Sequence, residues 1–143
     1  MRLALRLAEK AASRDEVPVG AVVVCDGRVV GRGHNRVEAK HSALEHAEIT
    51  ALRQAAQKLG RWRLTGCTLY ATLEPCAMCA GAMVLSRIDR LVFAADDPKA
   101  GACGSVSDIV AGKRLNHRIR AERGLLRDEA ARLLKDFFRN KRA

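Results

Sequence analysis

His46-Ala47-Glu48 and Pro75-Cys76-Ala77-Met78-Cys79 are the two stretches of this 143-residue chain that decide its fold and its chemistry. One histidine and two cysteines supply three soft or borderline ligands, one fewer than a closed structural zinc site requires. Catalytic zinc sites leave the fourth position to water. The glutamate, two residues after the histidine, can then accept a proton from that water. The pattern therefore indicates a catalytic zinc site with a proton carrier beside it.

Both stretches fall at predicted helix starts. Residues 47–59 are rich in Ala, Leu, Gln and Lys, which predicts a helix that Gly60 ends. Pro75 is typical of a first helical position and predicts a second helix to about residue 86. Cys76 and Cys79 are three residues apart, so they share a face of that helix and can bind one ion. Free amides and the helix dipole at this end favour their thiolate forms.

Each half of the pattern has other interpretations when taken alone. A lone C-x-x-C is also typical of a thioredoxin-like redox pair or of half a structural zinc ribbon. The redox interpretation leaves His46 and Glu48 without a role. A ribbon needs a second cysteine pair, whereas Cys25, Cys67 and Cys103 are isolated and fit small core or loop residues. Together the halves match the H-x-E…P-C-x-x-C signature of zinc-dependent nucleobase deaminases, which predicts hydrolytic deamination with one bound Zn²⁺.

The composition is typical of a soluble globular protein, with 48% hydrophobic and 29% charged residues. No apolar run reaches the roughly 18 residues that cross a bilayer. The first ten residues are charged throughout, unlike a signal peptide. Five cysteines in a chain without such a signal favour metal chemistry over a disulfide framework. We predict a single domain over residues 1–143, located in the cytoplasm and without membrane contact.

The formal charge of +10 is unevenly placed along the chain. Residues 113–143 contain 11 Lys or Arg and 4 Asp or Glu, a net charge of +7. A basic segment on a nearly balanced body favours a polyanionic partner such as nucleic acid, bound more weakly at high salt. A merely solubilising surface is the alternative.

Hydrophobic periodicity predicts the remaining elements. Strands over 20–25 and 28–31 flank Asp26-Gly27, the strongest short-range signal for a hairpin. The others are an amphipathic first helix with apolar residues at positions 3–11, strands over 68–73 and 90–95, loops over 31–46 and 96–105, and a final amphipathic helix around 130–137. This order predicts a layered α/β domain.

Longer stretches resemble the bacterial tRNA-specific adenosine deaminases over nearly the whole chain. The block from Thr72 to Met83 is shared with cytosine and guanine deaminases, whereas Asp97-Pro98-Lys99-Ala100-Gly101 and Phe137-Phe138-Arg139 favour the tRNA branch. Further similar stretches lie at 17–21, 33–36 and 116–118. The resemblance implies a cytidine-deaminase-like fold, a three-layer α/β/α sandwich around a five-stranded mixed sheet, assembled as a homodimer.

The resemblance also implies an activity and a set of site residues. The activity is zinc-dependent hydrolysis of adenosine to inosine at wobble position 34 of a tRNA, an arginine tRNA, with the anticodon stem-loop as partner. His46, Cys76 and Cys79 take the zinc positions, and Glu48 takes the proton-shuttle position. The positions implied to contact the substrate are Val19, Asn35, Ala47, Leu73, Glu74, Pro75, Asp97, Lys99, Phe138 and Arg139. The chain departs from the family at residues 41–45, just before the histidine.

Two other functions remain open at this point. One is a deaminase of free guanine or cytosine with the same zinc site, for which the basic tail is dispensable. The other is a non-catalytic, zinc-stabilised nucleic-acid-binding module, in which Glu48 has no role. Locally, Asp97 and Lys99 also fit an ordinary turn. The tail also fits a final helix with Phe137 in the core, Phe138 more exposed, and cations that complement the helix dipole.

Overall fold

A computed structural model describes residues 1–142 as one mixed sheet with helices on both faces. Ala143, the last residue of the predicted domain, lies outside the described residues. The strands are β1 Gly20–Cys25, β2 Arg28–His34, β3 Cys67–Leu73, β4 Arg90–Ala95 and β5 Arg120–Arg123. The helices are α1 Arg2–Ser13, α2 Val37–Lys40, α3 Ala47–Leu59, α4 Ala77–Leu85 and α5 Arg127–Arg142. None of these helices combines the length and the apolar character that a membrane crossing requires.

The sheet has the strand order β2-β1-β3-β4-β5. β1 runs antiparallel to both β2 and β3, whereas β3, β4 and β5 are parallel to one another. Parallel neighbours need a crossover connection, and α4 supplies it between β3 and β4. As a result, the carboxyl ends of β3 and β4 and the amino end of β1 lie along the same edge of the sheet. The predicted five-stranded mixed sheet is confirmed.

The helices form two layers, one on each face of the sheet. α3 and α4 cover one face, where Leu69 and Phe93 are fully buried in the larger core cluster. α1 and α5 cover the other face, where Leu5, Ala94 and Ala130 form a second buried cluster. Phe93 and Ala94, which are successive residues of β4, therefore point into different cores, because side chains alternate between the two faces of a sheet. The predicted three-layer α/β/α sandwich is confirmed.

β5 is a strand that the residues themselves did not predict and that only the family resemblance implied. All four of its residues, Arg120–Arg123, are exposed, so they show no hydrophobic alternation. The strand is held at the sheet edge by its pairing with β4. There Arg90 donates two hydrogen bonds, of 2.9 and 2.8 Å, to the two carboxylate oxygens of Glu122. Pairing, not burial of its own side chains, makes this segment a strand.

The predicted loop over residues 31–46 is wrong at its amino end, because β2 continues to His34. Gly31 and Gly33, taken as loop residues, are strand residues against which α3 packs. A Cβ atom on Gly31 would lie 2.1 Å from the carbonyl oxygen of Ala51, so only glycine fits there. The same loop prediction also missed the short helix α2.

Candidate metal centre and active site

The two sequence motifs meet because each one begins a helix at the same edge of the sheet. His46 immediately precedes α3, and Cys76 immediately precedes α4, with extended backbone at both residues. The prediction that Pro75 is the first residue of this helix is wrong, because α4 begins two residues later, at Ala77. Cys79 lies in the first turn of α4 and is fully buried. The ends of β3 and of the loop after α2 bring these two helix starts together.

His46, Cys76 and Cys79 form a cluster whose ligand atoms all lie within 4.8 Å of one another. The Nδ1 atom of His46 is 3.6 Å from the Sγ atom of Cys76 and 3.5 Å from that of Cys79. Tetrahedral zinc with ordinary bond lengths places nitrogen and sulfur ligands about 3.5 Å apart. The donor set and its spacing therefore fit a zinc ion, as the sequence predicted.

The pKa values of the three side chains in this cluster are shifted in different directions. Hydrogen bonds from Cys79 and then His46 lower the pKa of the Cys76 thiol to about 3. The hydrogen bond to Cys76, followed by burial, strongly raises the pKa of Cys79. The hydrogen bond to Cys76 also raises the pKa of His46. These shifts favour the thiolate at Cys76 and the thiol at Cys79, so binding of a metal would displace the proton of Cys79.

Glu48 lies in the first turn of α3, beside this cluster. Its side chain is buried, and its Oε1 atom has no hydrogen-bond partner among residues 1–142. Burial is the main reason that the pKa of Glu48 is raised above its ordinary value. An unpartnered carboxylate oxygen inside a protein is costly unless a ligand or water completes it. The structure therefore places a buried carboxyl group with one unpartnered oxygen beside the cluster; its role as a proton carrier stays a prediction.

A cavity of about 930 Å³ opens onto His46, Cys76 and Glu48. Seven of the residues implied to contact the substrate line it: Val19, Asn35, Ala47, Leu73, Glu74, Asp97 and Phe138. Asn35 is fixed in place, because its Nδ2 donates to the Val17 carbonyl and its Oδ1 accepts from the amide of Val37. The cavity is wide enough for a nucleoside and has apolar and polar walls.

A second cavity, of about 900 Å³, adjoins the first and shares Val17, Leu73, Asp97 and Phe138 with it. Lys99 and Arg139, also implied to contact the substrate, line this second cavity. Its cations are Lys99, Lys135, Arg139 and Arg142. Phe138 is 43% exposed between the two cavities, so its predicted exposure is confirmed. The prediction of Phe137 in the core is wrong, because Phe137 is only partly buried and lines the first cavity.

Pro75 lines neither cavity. Its carbonyl oxygen accepts a hydrogen bond of 2.9 Å from the amide of Ala102. Glu74 lines the first cavity, but its carboxylate accepts hydrogen bonds from the Asp97–Ser105 segment. Burial raises the pKa of Glu74, and the hydrogen bonds from Ser105 and the loop amides outweigh it, so that its pKa lies below the usual range.

The sequence did not reveal the wall formed by α2. Val37, Glu38 and Ala39 line the cavity, and Glu16, 2% exposed, holds them there. Its two carboxylate oxygens accept hydrogen bonds of 3.0 and 2.8 Å from the amides of Glu38 and Ala39. The contact joins residues more than twenty positions apart, so no local sequence pattern indicates it.

The unusual segment 41–45 is closed by an ion pair. Arg36 donates a side-chain hydrogen bond of 3.0 Å to Glu45, and its amide donates one of the same length to the Glu45 carbonyl oxygen. The loop ends at His46. These two contacts between Arg36 and Glu45 close the segment immediately before His46.

Comparison with known proteins gives a consistent result. Residues 1–142 match a family model described as MafB19-like deaminase. The tRNA-specific adenosine deaminase of Bacillus subtilis (strain 168) is 44% identical over 142 residues, 99% of this chain and 88% of that protein. The tRNA-specific adenosine deaminase of Agrobacterium fabrum is 46% identical over 142 residues, 99% of this chain and 93% of that protein.

Solved structures are similar as well. One, from a study of A-to-I editing by tRNA:A34 deaminases, superposes with a TM-score of 0.90 at 46% identity, covering 94% of this chain and 97% of that one. A guanine deaminase from Nitrosomonas europaea superposes with a TM-score of 0.83 at 30% identity, covering 95% and 81% of the two chains.

Proposed function

Since this chain belongs to the family of tRNA-specific adenosine deaminases, we propose that it hydrolyses adenosine to inosine at wobble position 34 of a tRNA. The observation that carries the proposal is the pairing of three ligand atoms at zinc spacing with the unpartnered Oε1 atom of Glu48 in one cavity. The ligands are proposed to hold one Zn²⁺ per subunit.

The chemistry follows from what these residues can bind and transfer. Zinc held by His46, Cys76 and Cys79 would lower the pKa of a water molecule toward neutrality. Glu48 accepts a proton from that water as the oxygen adds to C6 of adenine, and delivers a proton to N1. Glu48 then takes the remaining proton of the hydroxyl group on C6 and delivers it to the exocyclic nitrogen. The C6–N bond breaks as the C6 carbonyl forms, and the nitrogen leaves as ammonia. The raised pKa of Glu48 suits a group that must both accept and return protons near neutral pH.

The substrate base must leave its stack to reach the floor of the cavity. This is least costly in a single-stranded loop, such as an anticodon loop. Asn35, held by two hydrogen bonds, and the backbone of Ala47 are proposed to contact the base, with Val19 and Leu73 as apolar walls. Asp97 belongs to the wall that faces the flanking nucleotides in this proposal, and Glu74 borders the same cavity.

The second cavity is proposed to receive the RNA backbone. Its four cations lie beside the first cavity, and Lys99 and Arg139 are among them. Exposed Phe138 lies between the cavities, where a flanking base can stack on it. We further propose an arginine tRNA as substrate, a homodimeric assembly, a single catalytic domain and a cytoplasmic location.

A free-base deaminase is the competing function, and one observation favours it. The chain superposes on the guanine deaminase of Nitrosomonas europaea over 95% of its length. The two functions differ in their need for the basic tail. Removing residues 139–143 should barely change the deamination of a free base, because such a substrate has no phosphates to bind. The same deletion should weaken action on RNA.

The deciding experiment uses a synthetic anticodon stem-loop with adenosine at the wobble position. Mass analysis after incubation should show a gain of roughly one mass unit at that nucleotide, since oxygen replaces an amino group. Glu48→Ala should show no gain while it still binds the stem-loop. Turnover of free guanine or cytosine without turnover of RNA would refute the proposal. Unchanged function in Glu48→Ala would instead indicate a non-catalytic binding module.

A further inference from the structure

We propose that Glu74 is a positioning residue for RNA binding, which holds the segment Asp97–Ser105 as a preformed wall of the cavity without touching the substrate itself. The inference rests on the proposed function, because the wall borders both proposed RNA-binding cavities. It reassigns a residue for which the family resemblance implied substrate contact.

Hydrogen bonding leaves the Glu74 carboxylate no free acceptor site. Oε1 accepts the amide of Asp97 at 3.0 Å and the hydroxyl of Ser105 at 2.5 Å. Oε2 accepts the amides of Cys103 at 3.0 Å and Ser105 at 3.1 Å. An ionised carboxylate offers about four lone-pair sites, and four donors fill them. Glu74 borders the first cavity but is only 1% exposed, and its two carboxylate oxygens are occupied by these four donors.

The loop is wrapped tightly around this carboxylate. A Cβ atom on Gly101 would lie 2.4 Å from Oε2 of Glu74, so a side chain at this position would displace the carboxylate. The amide of Ala102 and the thiol of Cys103 both donate to the carbonyl oxygen of Pro75. The loop is therefore tied to the peptide that leads directly into the ligand Cys76.

The fixed loop then shapes the space where RNA is proposed to bind. Asp97 and Ala100 line the first cavity, and Asp97, Pro98 and Lys99 line the second. Within the loop, Oδ1 of Asp97 accepts the amides of Lys99 and Ala100. The amide of Asp97 is itself held by Glu74. Loss of the Glu74 contacts would therefore loosen the turn Asp97–Ala100, and Lys99 on this turn would lose its fixed position in the second cavity.

The contrast with Glu48 separates two kinds of buried carboxyl group. Glu48 keeps one oxygen without a partner inside the cavity, as a proton carrier requires. Both carboxylate oxygens of Glu74 accept hydrogen bonds from the protein itself. Substitution at Glu48 should affect the chemical step, whereas substitution at Glu74 should affect binding.

The test compares Glu74→Gln, Ser105→Ala and the matched control Glu9→Gln, which removes an exposed carboxylate from α1. A glutamine has one acceptor oxygen, and its amide nitrogen would face donors. We expect KM for the anticodon stem-loop to rise roughly tenfold in Glu74→Gln, with kcat changed less than about threefold and zinc content unchanged. Ser105→Ala should raise KM by a smaller factor. Glu74→Asp, which keeps a carboxylate at this position, should also raise KM less than Glu74→Gln does.

Hydrogen exchange of the substrate-free protein keeps this proposal distinguishable from the proposed function. The amides of Asp97, Cys103 and Ser105 should exchange faster in Glu74→Gln than in the wild type, whatever substrate the enzyme uses. In Glu9→Gln their exchange rates should equal those of the wild type. Unchanged exchange at these amides would overturn the positioning role. A fall in kcat with unchanged KM would overturn it as well and would assign Glu74 to the chemistry. If Glu74→Gln fails to fold, Ser105→Ala carries the same two measurements.

Discussion

Gly33 of β2 lies so close to Ala47 of α3 that a Cβ atom on the glycine would be 2.2 Å from the carbonyl oxygen of Ala47. Ala47 stands between His46, the proposed zinc ligand, and Glu48, the proposed proton carrier. The first turn of α3 is therefore pressed directly against the backbone of β2. Strand packing, not a local loop, sets the position of both functional side chains.

Gly33→Ala should push the start of α3 away from the sheet. Forcing an atom into a packed interface costs about 1–3 kcal/mol, so the melting temperature should fall. Zinc should also be lost faster to a chelator, because His46 moves with the helix. Gly31→Ala makes the same change one helical turn further on, against Ala51.

We expect Gly31→Ala to lower the stability by as much as Gly33→Ala does, but to lower the affinity for zinc much less. Equal zinc retention in the two glycine variants would show that the strand contact does not position the ligand. Calorimetry and a colorimetric chelator competition measure the two quantities.

Glu48→Gln should abolish proton transfer and leave the fold intact. Loss of a general acid–base group lowers kcat by about 10²–10⁴-fold. The pKa of Glu48 is raised from 4.5 by burial, so the folded state favours the protonated carboxyl. The metal-free protein is thus most stable below about pH 4.5 with respect to this group and loses stability as pH rises through its folded pKa.

Glu48→Gln should remove that pH-dependent loss, so that its stability relative to wild type grows as pH rises. Denaturant unfolding of both metal-free proteins at several pH values measures this difference. A constant difference across pH would contradict the assignment of a raised pKa to this residue.

Removal of the metal should make one cysteine selectively reactive. The pKa of Cys76 is lowered to about 3, whereas burial raises the pKa values of Cys67 and Cys103 to about 12. Since the thiolate is the nucleophile, brief alkylation at neutral pH should modify Cys76 first in the chelated protein. Zinc should protect it. Peptide mass mapping identifies the first cysteine to be alkylated, and first modification of a cysteine other than Cys76 would contradict this prediction.

The cations of the second cavity should set the salt dependence of RNA binding. Each phosphate contact that is removed should reduce the slope of log affinity against log salt by about one. Arg139→Ala with Arg142→Ala should therefore weaken stem-loop binding most at low salt. Arg28→Ala, an exposed cation at the start of β2, is the matched control and should leave the slope unchanged. Equal slopes in all proteins would place the RNA elsewhere.

The metal centre could be predicted from sequence because its chemistry depends on short spacings. His46 and Glu48 share one helix start, and Cys76 and Cys79 share another, so local rules suffice to place each pair. The cavity walls could not be predicted in this way. Glu16 holds α2 across 22 residues, and β5 is a strand only because β4 pairs with it. Such features depend on tertiary contacts that leave no periodic pattern in the chain.

Both helices at the metal centre begin there, so the positive ends of two helix dipoles converge on one point. In the proposed zinc-bound state, that field would stabilise the two thiolates and offset part of the electron density that they donate. It comes from the peptide backbone and not from any side chain. Substitutions elsewhere on α3 and α4 leave it unchanged as long as the helices form. This part of the electrostatic environment of the cluster therefore depends on the two helix starts and not on the side chains of the cavity walls.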